Sequence, residues 1–141
     1  MNGGRNFLWF DELIALDSLV ATQANTWVLA PEKYLRTDGA RGVRLTATTW
    51  PVPSSGTPNL DIDFEVSDTA EPCDPTAPLD WGRSVTFALT TRQPATNATF
   101  LNAMVDGTNS LRNFVRAKVT NKSTSVGIMI RLRVWATIVD C

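Results

Sequence analysis

Residues 126–139 read Val-Gly-Ile-Met-Ile-Arg-Leu-Arg-Val-Trp-Ala-Thr-Ile-Val, and this stretch decides the fold. Every second residue from Val126 to Ile138 is apolar, whereas the positions between them include Arg131 and Arg133. Because side chains two apart on an extended chain point to the same side, the alternation predicts a long β-strand with one face on a core.

The segment just upstream repeats this pattern. Residues 114–119 alternate in the same way, and the polar run 121–125 between the two segments supplies turn residues. We therefore predict an antiparallel hairpin at this end of the chain. Further strands are predicted by alternation at residues 43–48, 60–66 and 84–90, with a shorter one at residues 26–30.

These strands together predict an all-β fold, either an antiparallel β-sandwich or a jelly roll. The connections at residues 51–58 and 68–80 are long and Pro-rich, so we expect them to be surface loops within one domain. Two segments stay open. Residues 9–20 suit a short N-terminal helix as well as an edge strand, and residues 97–105 have the same ambiguity.

Length and charge narrow the classes of partner. A chain of 141 residues is the usual size of one domain, and its net charge of -1 gives no electrostatic reason to expect nucleic acid or an anionic membrane as partner. Asp11 and Glu12 interrupt the first apolar run, so we expect no secretory signal and synthesis in the cytoplasm. Cys73 and Cys141 are accordingly expected to be free thiols.

The sequence offers little for catalysis. It contains no histidine, which excludes Ser-His-Asp and Cys-His sites, and it has no phosphate-binding glycine motif. We predict that the protein is not an enzyme and needs neither a cofactor nor a metal.

One cluster of carboxylates needs a separate explanation. Asp61, Asp63 and Glu65 alternate along one strand, about 7 Å apart, where they could bind Ca²⁺ or cleave a glycosidic bond. The simpler interpretation is the solvated face of an amphipathic strand opposite a basic ladder. The chain has two such ladders: Arg131 with Arg133, and Arg116 with Lys118.

The five tryptophans are candidates for contact with a partner or for the core. Trp27 and Trp135 lie within strand patterns, which favours a place in the core or on a sheet face. Trp50 and Trp81 lie where strands meet the Pro-rich loops. At such positions a ring can anchor a protein partner, stack on a sugar or cap the end of the core.

An aromatic cluster near the N-terminus gives the remaining contact candidates: Phe7, Leu8, Trp9 and Phe10. The cluster follows Gly3 and Gly4, in a part of the chain where domains usually fray. Residues 1–10 are therefore a candidate N-terminal arm, with residues 11–141 forming a single β-sandwich domain. The cluster packs either on the core of its own domain or on another subunit.

These patterns resemble the small β-sandwich decoration, or cement, proteins of tailed bacteriophage heads. The resemblance lies in the alternating segments: residues 43–48, 59–68, 114–120 and 128–138. It implies a virion structural protein that is made in the host cytoplasm, binds the assembled head and braces neighbouring copies of the major capsid protein. It also implies a homo-oligomer, either a dimer or a trimer.

Two other functions remain open at this stage. The first is a carbohydrate-binding or receptor-binding module, for example from a phage tail or fibre, with Trp50 and Trp81 as stacking rings. The second is a small glycosidase or a Ca²⁺ protein built on the carboxylates of residues 61–65.

Overall fold

The computed structural model describes residues 5–17, 25–37, 40–51, 60–68, 82–89, 99–106, 111–122 and 127–139. Within these ranges the chain forms nine β-strands and one short 3-10 helix, η1, at Pro31–Lys33. The strands are β1 (Arg5–Leu16), β2 (Thr26–Val28), β3 (Leu35–Arg36), β4 (Gly42–Pro51), β5 (Leu60–Ser67), β6 (Gly82–Leu89), β7 (Thr99–Asp106), β8 (Phe114–Asn121) and β9 (Ile128–Val139). The prediction of an all-β sandwich is confirmed.

The strands form two antiparallel sheets. The four-stranded sheet has the order β1-β9-β4-β7, and the five-stranded sheet has the order β2-β8-β5-β6, with β3 also paired to β8. Strand β9 lies inside the four-stranded sheet, between β1 and β4. The alternating segment that decides the fold is thus paired along both of its edges.

The predicted hairpin of β8 and β9 is wrong. The two strands are consecutive in the chain, but β8 pairs with β5 in one sheet and β9 pairs with β4 and β1 in the other. Alternation shows that each strand buries one face, yet it does not show which strand lies beside it. The connection between them therefore crosses from one sheet to the other.

The core lies between the sheets and is built from the inner faces of their strands. Strand β8 alternates strictly between partly buried and buried positions, and β9 buries every second residue through its centre. Phe64 of β5 is the largest fully buried side chain in the described residues. The buried apolar side chains of β8 and β9 are Val115, Ala117 and Val119 from β8 and Ile130, Leu132, Val134 and Ala136 from β9.

Strand β5 departs from the expected pattern because both of its faces are buried. Asp63 is 2% exposed and Glu65 is 9% exposed, so the carboxylates do not form a solvated face. Of the two basic ladders predicted from the sequence, the carboxylates lie opposite the one on β8. Asp63 pairs with Lys118, and Glu65 pairs with Arg116. The alternation correctly predicts the strand, but sequence pattern alone does not reveal that the outer face of a strand is covered.

The buried carboxylates are held by ion pairs and hydrogen bonds. Arg116 Nε donates to Glu65 Oε1 at 2.8 Å, and Arg116 also contacts the Tyr34 hydroxyl at 3.3 Å. Lys122 Nζ lies 3.2 Å from Asp61 Oδ1. The pairing of a nearly buried carboxylate with a guanidinium offsets the cost of removing both charges from water.

The first segment of the chain forms a long edge strand. Strand β1 pairs with β9 from Arg5 to Leu16, which decides residues 9–16 in favour of a strand and places residues 5–10 within the sheet. The register shifts between Leu8 and Phe10, so Trp9 is the extra residue of a β-bulge. The bulge changes the parity of the inward-facing positions, and that change produces the irregular apolar spacing seen in the sequence.

The second ambiguous segment, residues 97–105, is a strand from residue 99 onward and forms most of β7. Strand β7 spans Thr99–Asp106 and pairs with β4 along its whole length. The Pro-rich segments at residues 52–58 and 69–80, together with Trp81, Cys73 and Cys141, lie outside the described residues.

Truncating residues 1–10 tests whether the first half of β1 belongs to the fold. The truncation removes Phe10, which is buried in the core, and Phe7 and Trp9, which pack against it. We expect a loss of at least about 3 kcal/mol in the free energy of unfolding, because removal of one buried aromatic ring alone costs about that much. Urea unfolding followed by tryptophan fluorescence measures the change.

The control for this truncation removes only residues 1–4, which leaves all of β1 in place. We expect this shorter truncation to unfold at the midpoint of the full chain. A truncation of residues 1–10 with an unchanged midpoint would show that β1 before Asp11 contributes nothing to folding.

Ile14 and Leu13 form a matched pair for testing the orientation of β1. Ile14 is buried and Leu13 is 63% exposed, although the two are adjacent on the same strand. We expect Ile14→Ala to lower the free energy of unfolding by about 2–5 kcal/mol and Leu13→Ala by less than about 1 kcal/mol. Equal losses in chemical denaturation would contradict the register.

Candidate protein-contact surface

The outer face of the four-stranded sheet carries an unusual set of side chains. Residues directly opposite each other in an antiparallel pair point to the same side of the sheet. Five such pairs of β1 and β9 lie on the outer face, and the three central ones are Leu8 with Trp135, Asp11 with Arg133, and Leu13 with Arg131. We call these six residues the outer patch.

The outer patch concentrates the exposed apolar residues of the described chain. The described residues include four exposed large hydrophobic side chains. Three of them belong to the patch: Leu13 at 63%, Leu8 at 45% and Trp135 at 39%. The fourth, Val28, is 39% exposed and lies on β2 of the other sheet. Single exposed apolar residues are ordinary, whereas several on one surface mark a site of interaction.

A cluster of charges lies between the apolar residues of the outer patch. Arg131 donates from Nε to Asp11 Oδ1 at 3.0 Å and from Nη2 to Asp11 Oδ2 at 2.9 Å, a bidentate arrangement. Arg133 donates from Nε to Asp11 Oδ2 at 3.1 Å. One carboxylate therefore holds two guanidinium groups at fixed positions on the sheet surface.

The electrostatics of Asp11 follow from these contacts. Hydrogen bonding from Arg131 lowers the pKa of Asp11 below its ordinary value of 3.8, and the hydrogen bond from Arg133 and the charges of both arginines lower the pKa further, while partial burial opposes them. The carboxylate stays ionised at neutral pH, and the cluster keeps its charged hydrogen bonds.

The edge of β1 next to the patch is occupied by the segment around η1. Trp9 Nε1 donates to the Lys33 carbonyl at 2.7 Å, and Lys33 Nζ forms an ion pair with Glu12. This segment ties β1, at the edge of one sheet, to β2 and β3 at the edge of the other. A charged residue at an edge and a covering loop both oppose the addition of a further strand. The accessible feature of β1 is its outer face.

The structure separates the predicted contact residues of the N-terminal cluster. Phe10 is buried, and Phe7 and Trp9 are partly buried against the core. The Trp9 ring packs edge-on against Phe10, with centroids 5.0 Å apart, and lies 6.2 Å from the ring of Phe64. Leu8 alone of the four predicted residues is exposed.

The two tryptophans at the loop ends give less information. The backbone of Trp50 belongs to β4, opposite Arg131 of the patch, but its side chain and the whole of Trp81 lie outside what the structure describes. The described residues therefore add Leu13, Trp135 and the charge cluster to the contact candidates. Trp135 was detectable, because the alternation that places Arg131 and Arg133 on the outer face places it there too.

Family models and curated proteins assign no function to the chain. No protein-family model matches the chain, and no curated protein matches it either. The described ranges contain no group of three or more Cys, Asp or Glu side chains arranged to hold a metal ion. In the same ranges no helix has the length and apolar character needed to cross a membrane.

The depressed pKa of Asp11 predicts a pH dependence of stability. A carboxylate whose pKa is lower in the folded state contributes stability above its unfolded pKa, and this contribution is lost as the pH falls through the folded pKa. We expect Asp11→Asn to remove part of the decline in the free energy of unfolding below about pH 4. Urea unfolding of both proteins at a series of pH values measures it, and parallel acid limbs would contradict the ion pairs.

Proposed function

We propose that this chain is a virion structural protein, a decoration or cement protein that binds an assembled phage head through the outer patch and braces neighbouring copies of the major capsid protein. The single observation that carries the protein-binding part of the proposal is the outer patch. The choice of a phage head as the partner follows from the resemblance of the alternating strands to such proteins.

The composition of the outer patch supports binding to a protein. Energetically important positions of protein interfaces are enriched in tryptophan and arginine, and they lie within a surrounding apolar surface. Trp135, Arg131 and Arg133 lie beside one another on β9, with Leu8 and Leu13 along one side. Such an arrangement can bury apolar area and form directional hydrogen bonds at the same time.

The rigidity of the outer patch also supports this function. All six residues lie on two long strands that pair with each other along their length, so their backbone positions are fixed before a partner arrives. The contacts with Asp11 further order both arginine side chains. Binding then costs less conformational entropy than it does for residues on loops.

The sequence and the described sites favour binding over catalysis. Without histidine the chain lacks the commonest general base, and two carboxylates of β5, Asp63 and Glu65, are buried opposite Lys118 and Arg116. These observations support a non-enzymatic role that needs no cofactor. A homo-oligomer, dimeric or trimeric, is part of the proposal.

Substitutions on the outer patch test the proposal. Shells are assembled from the major capsid protein encoded in the same genome, mixed with the purified chain and centrifuged. We expect the wild-type chain to sediment with the shells, and the double variant Leu13→Thr, Trp135→Thr to stay in the supernatant. The loss of two anchors weakens binding by about 2 kcal/mol or more, roughly thirtyfold in dissociation constant.

The matched control is Val28→Thr, which removes an equally exposed apolar side chain from the opposite sheet. We expect this variant to fold and to sediment like the wild type. The thermal unfolding midpoint of every variant is recorded, so that lost binding is distinguished from lost folding. If the wild-type chain does not bind the shells, or binds a glycan array instead, the proposed function is overturned.

A further inference from the structure

On three strands of the four-stranded sheet, β1, β4 and β9, the outward positions have an excess of positive charge. On the described positions of β1, β4 and β9 that point outward, the charged groups are Arg44, Arg131, Arg133 and Asp11, three guanidinium groups and one carboxylate. The whole chain has the opposite balance, with 13 basic and 14 acidic residues. The positive charge is therefore a local property of this face.

The opposite face of the sandwich does not share this property. On the described outward positions of β3, β5 and β8 the charges are equal in number: Arg36, Arg116 and Lys118 against Asp61, Asp63 and Glu65. Within this face Glu65 is paired with Arg116, and Asp61 with Lys122.

The position of Arg44 extends the charged region across the sheet. Arg44 is exposed on β4 and pairs with Thr137, while its neighbour two residues along, Thr46, pairs with Trp135. Arg44 and Trp135 are thus diagonal neighbours, a spacing of about 7–8 Å that long side chains reach across. In the register of the sheet, the position of Trp135 lies between Arg44 on one side and the arginines held by Asp11 on the other.

We infer that the partner surface recognised by the outer patch is acidic, with Asp or Glu carboxylates placed around an apolar depression that receives Trp135. This inference rests on the proposed function and specifies the chemistry of its partner. Guanidinium groups bind carboxylates in a bidentate manner, and complementary charge determines both the rate of encounter and the choice of partner. Asp11 orders two of the guanidinium groups in advance of binding, which lowers the entropic cost of their contacts.

Charge reversal at Arg44 tests the inference on the shells. Arg44→Glu changes the local charge by two without touching the contacts of Asp11 with Arg131 and Arg133. We expect its dissociation constant to rise about tenfold at low salt and the difference from wild type to shrink as salt is added, because exposed charges are screened. The readout is co-sedimentation at several salt concentrations.

The control is Arg112→Glu, which makes the same change of net charge at an exposed site next to β8 of the other sheet, where Arg112 lies 3.5 Å from Asp68. We expect this variant to bind like the wild type at every salt concentration. An equal loss in both variants would show an effect of net charge alone and would overturn the inference, as would unchanged binding by Arg44→Glu.

A second measurement keeps the inference separate from the proposed function. Short poly-L-glutamate is titrated into the isolated protein while backbone amide signals are followed by NMR, with poly-L-lysine as the opposite probe. We expect poly-L-glutamate to shift amides of β1, β4 and β9, and Arg44→Glu to reduce those shifts. These shifts without shell binding would refute the phage-head partner but support the acidic-partner chemistry.

Two results would overturn the inference whatever happens with the shells. The first is poly-L-glutamate shifts absent from the outer face or spread equally over both sheets. The second is sedimentation equilibrium showing that the wild-type chain self-associates and that the outer-patch variant Leu13→Thr, Trp135→Thr is monomeric. That result would assign the face to a second copy of this chain.

Discussion

Every second residue of β9 must be apolar because the strand is paired along both edges and one of its faces lies against the other sheet. The same constraint fixes the residues between, since the remaining positions must all point outward. Arg131, Arg133 and Trp135 are therefore on the surface as a direct consequence of Leu132 and Val134 being in the core. The residues that β9 gives to the outer patch and those it gives to the core lie on opposite faces of the same strand. A change in the register of β9 would therefore move both sets together.

The sequence pattern predicts most of the strands correctly, but it does not predict which strands pair with each other. The alternation of residues 128–138 and 114–119 predicted β9 and β8, because burial of one face is a local property of each strand. The pairing of β9 with β4 and β1 joins segments far apart in sequence, and short-range patterns contain no information about it. The polar residues between β8 and β9 permit a hairpin and equally permit a crossing between sheets.

The contact surface was partly predictable, for reasons that differ between its two strands. Along β9 the pattern is regular, so the outward position of Trp135 follows from the sequence. Along β1 the bulge at Trp9 changes which residues face inward, so Phe7 and Phe10 both face the core although they are an odd number of residues apart. Without the register, the sequence does not show which of Leu8 and Phe10 faces the core. The exposed Leu13 is a further difficulty, because it is apolar at a position where alternation requires a polar residue.

The two ion clusters of the molecule have different physical roles. The Glu65 and Arg116 side chains are nearly buried, so removal of either partner alone leaves an uncompensated charge in the interior and destabilises the fold. The cluster of Asp11, Arg131 and Arg133 is partly exposed, and ion pairs in such positions add little to stability. A stable sandwich therefore does not need two arginines and a tryptophan on this face, where threonine would satisfy the strand equally well. We propose that their presence among exposed leucines reflects recognition of a partner, for which ordered guanidinium groups beside an apolar ring provide both direction and affinity.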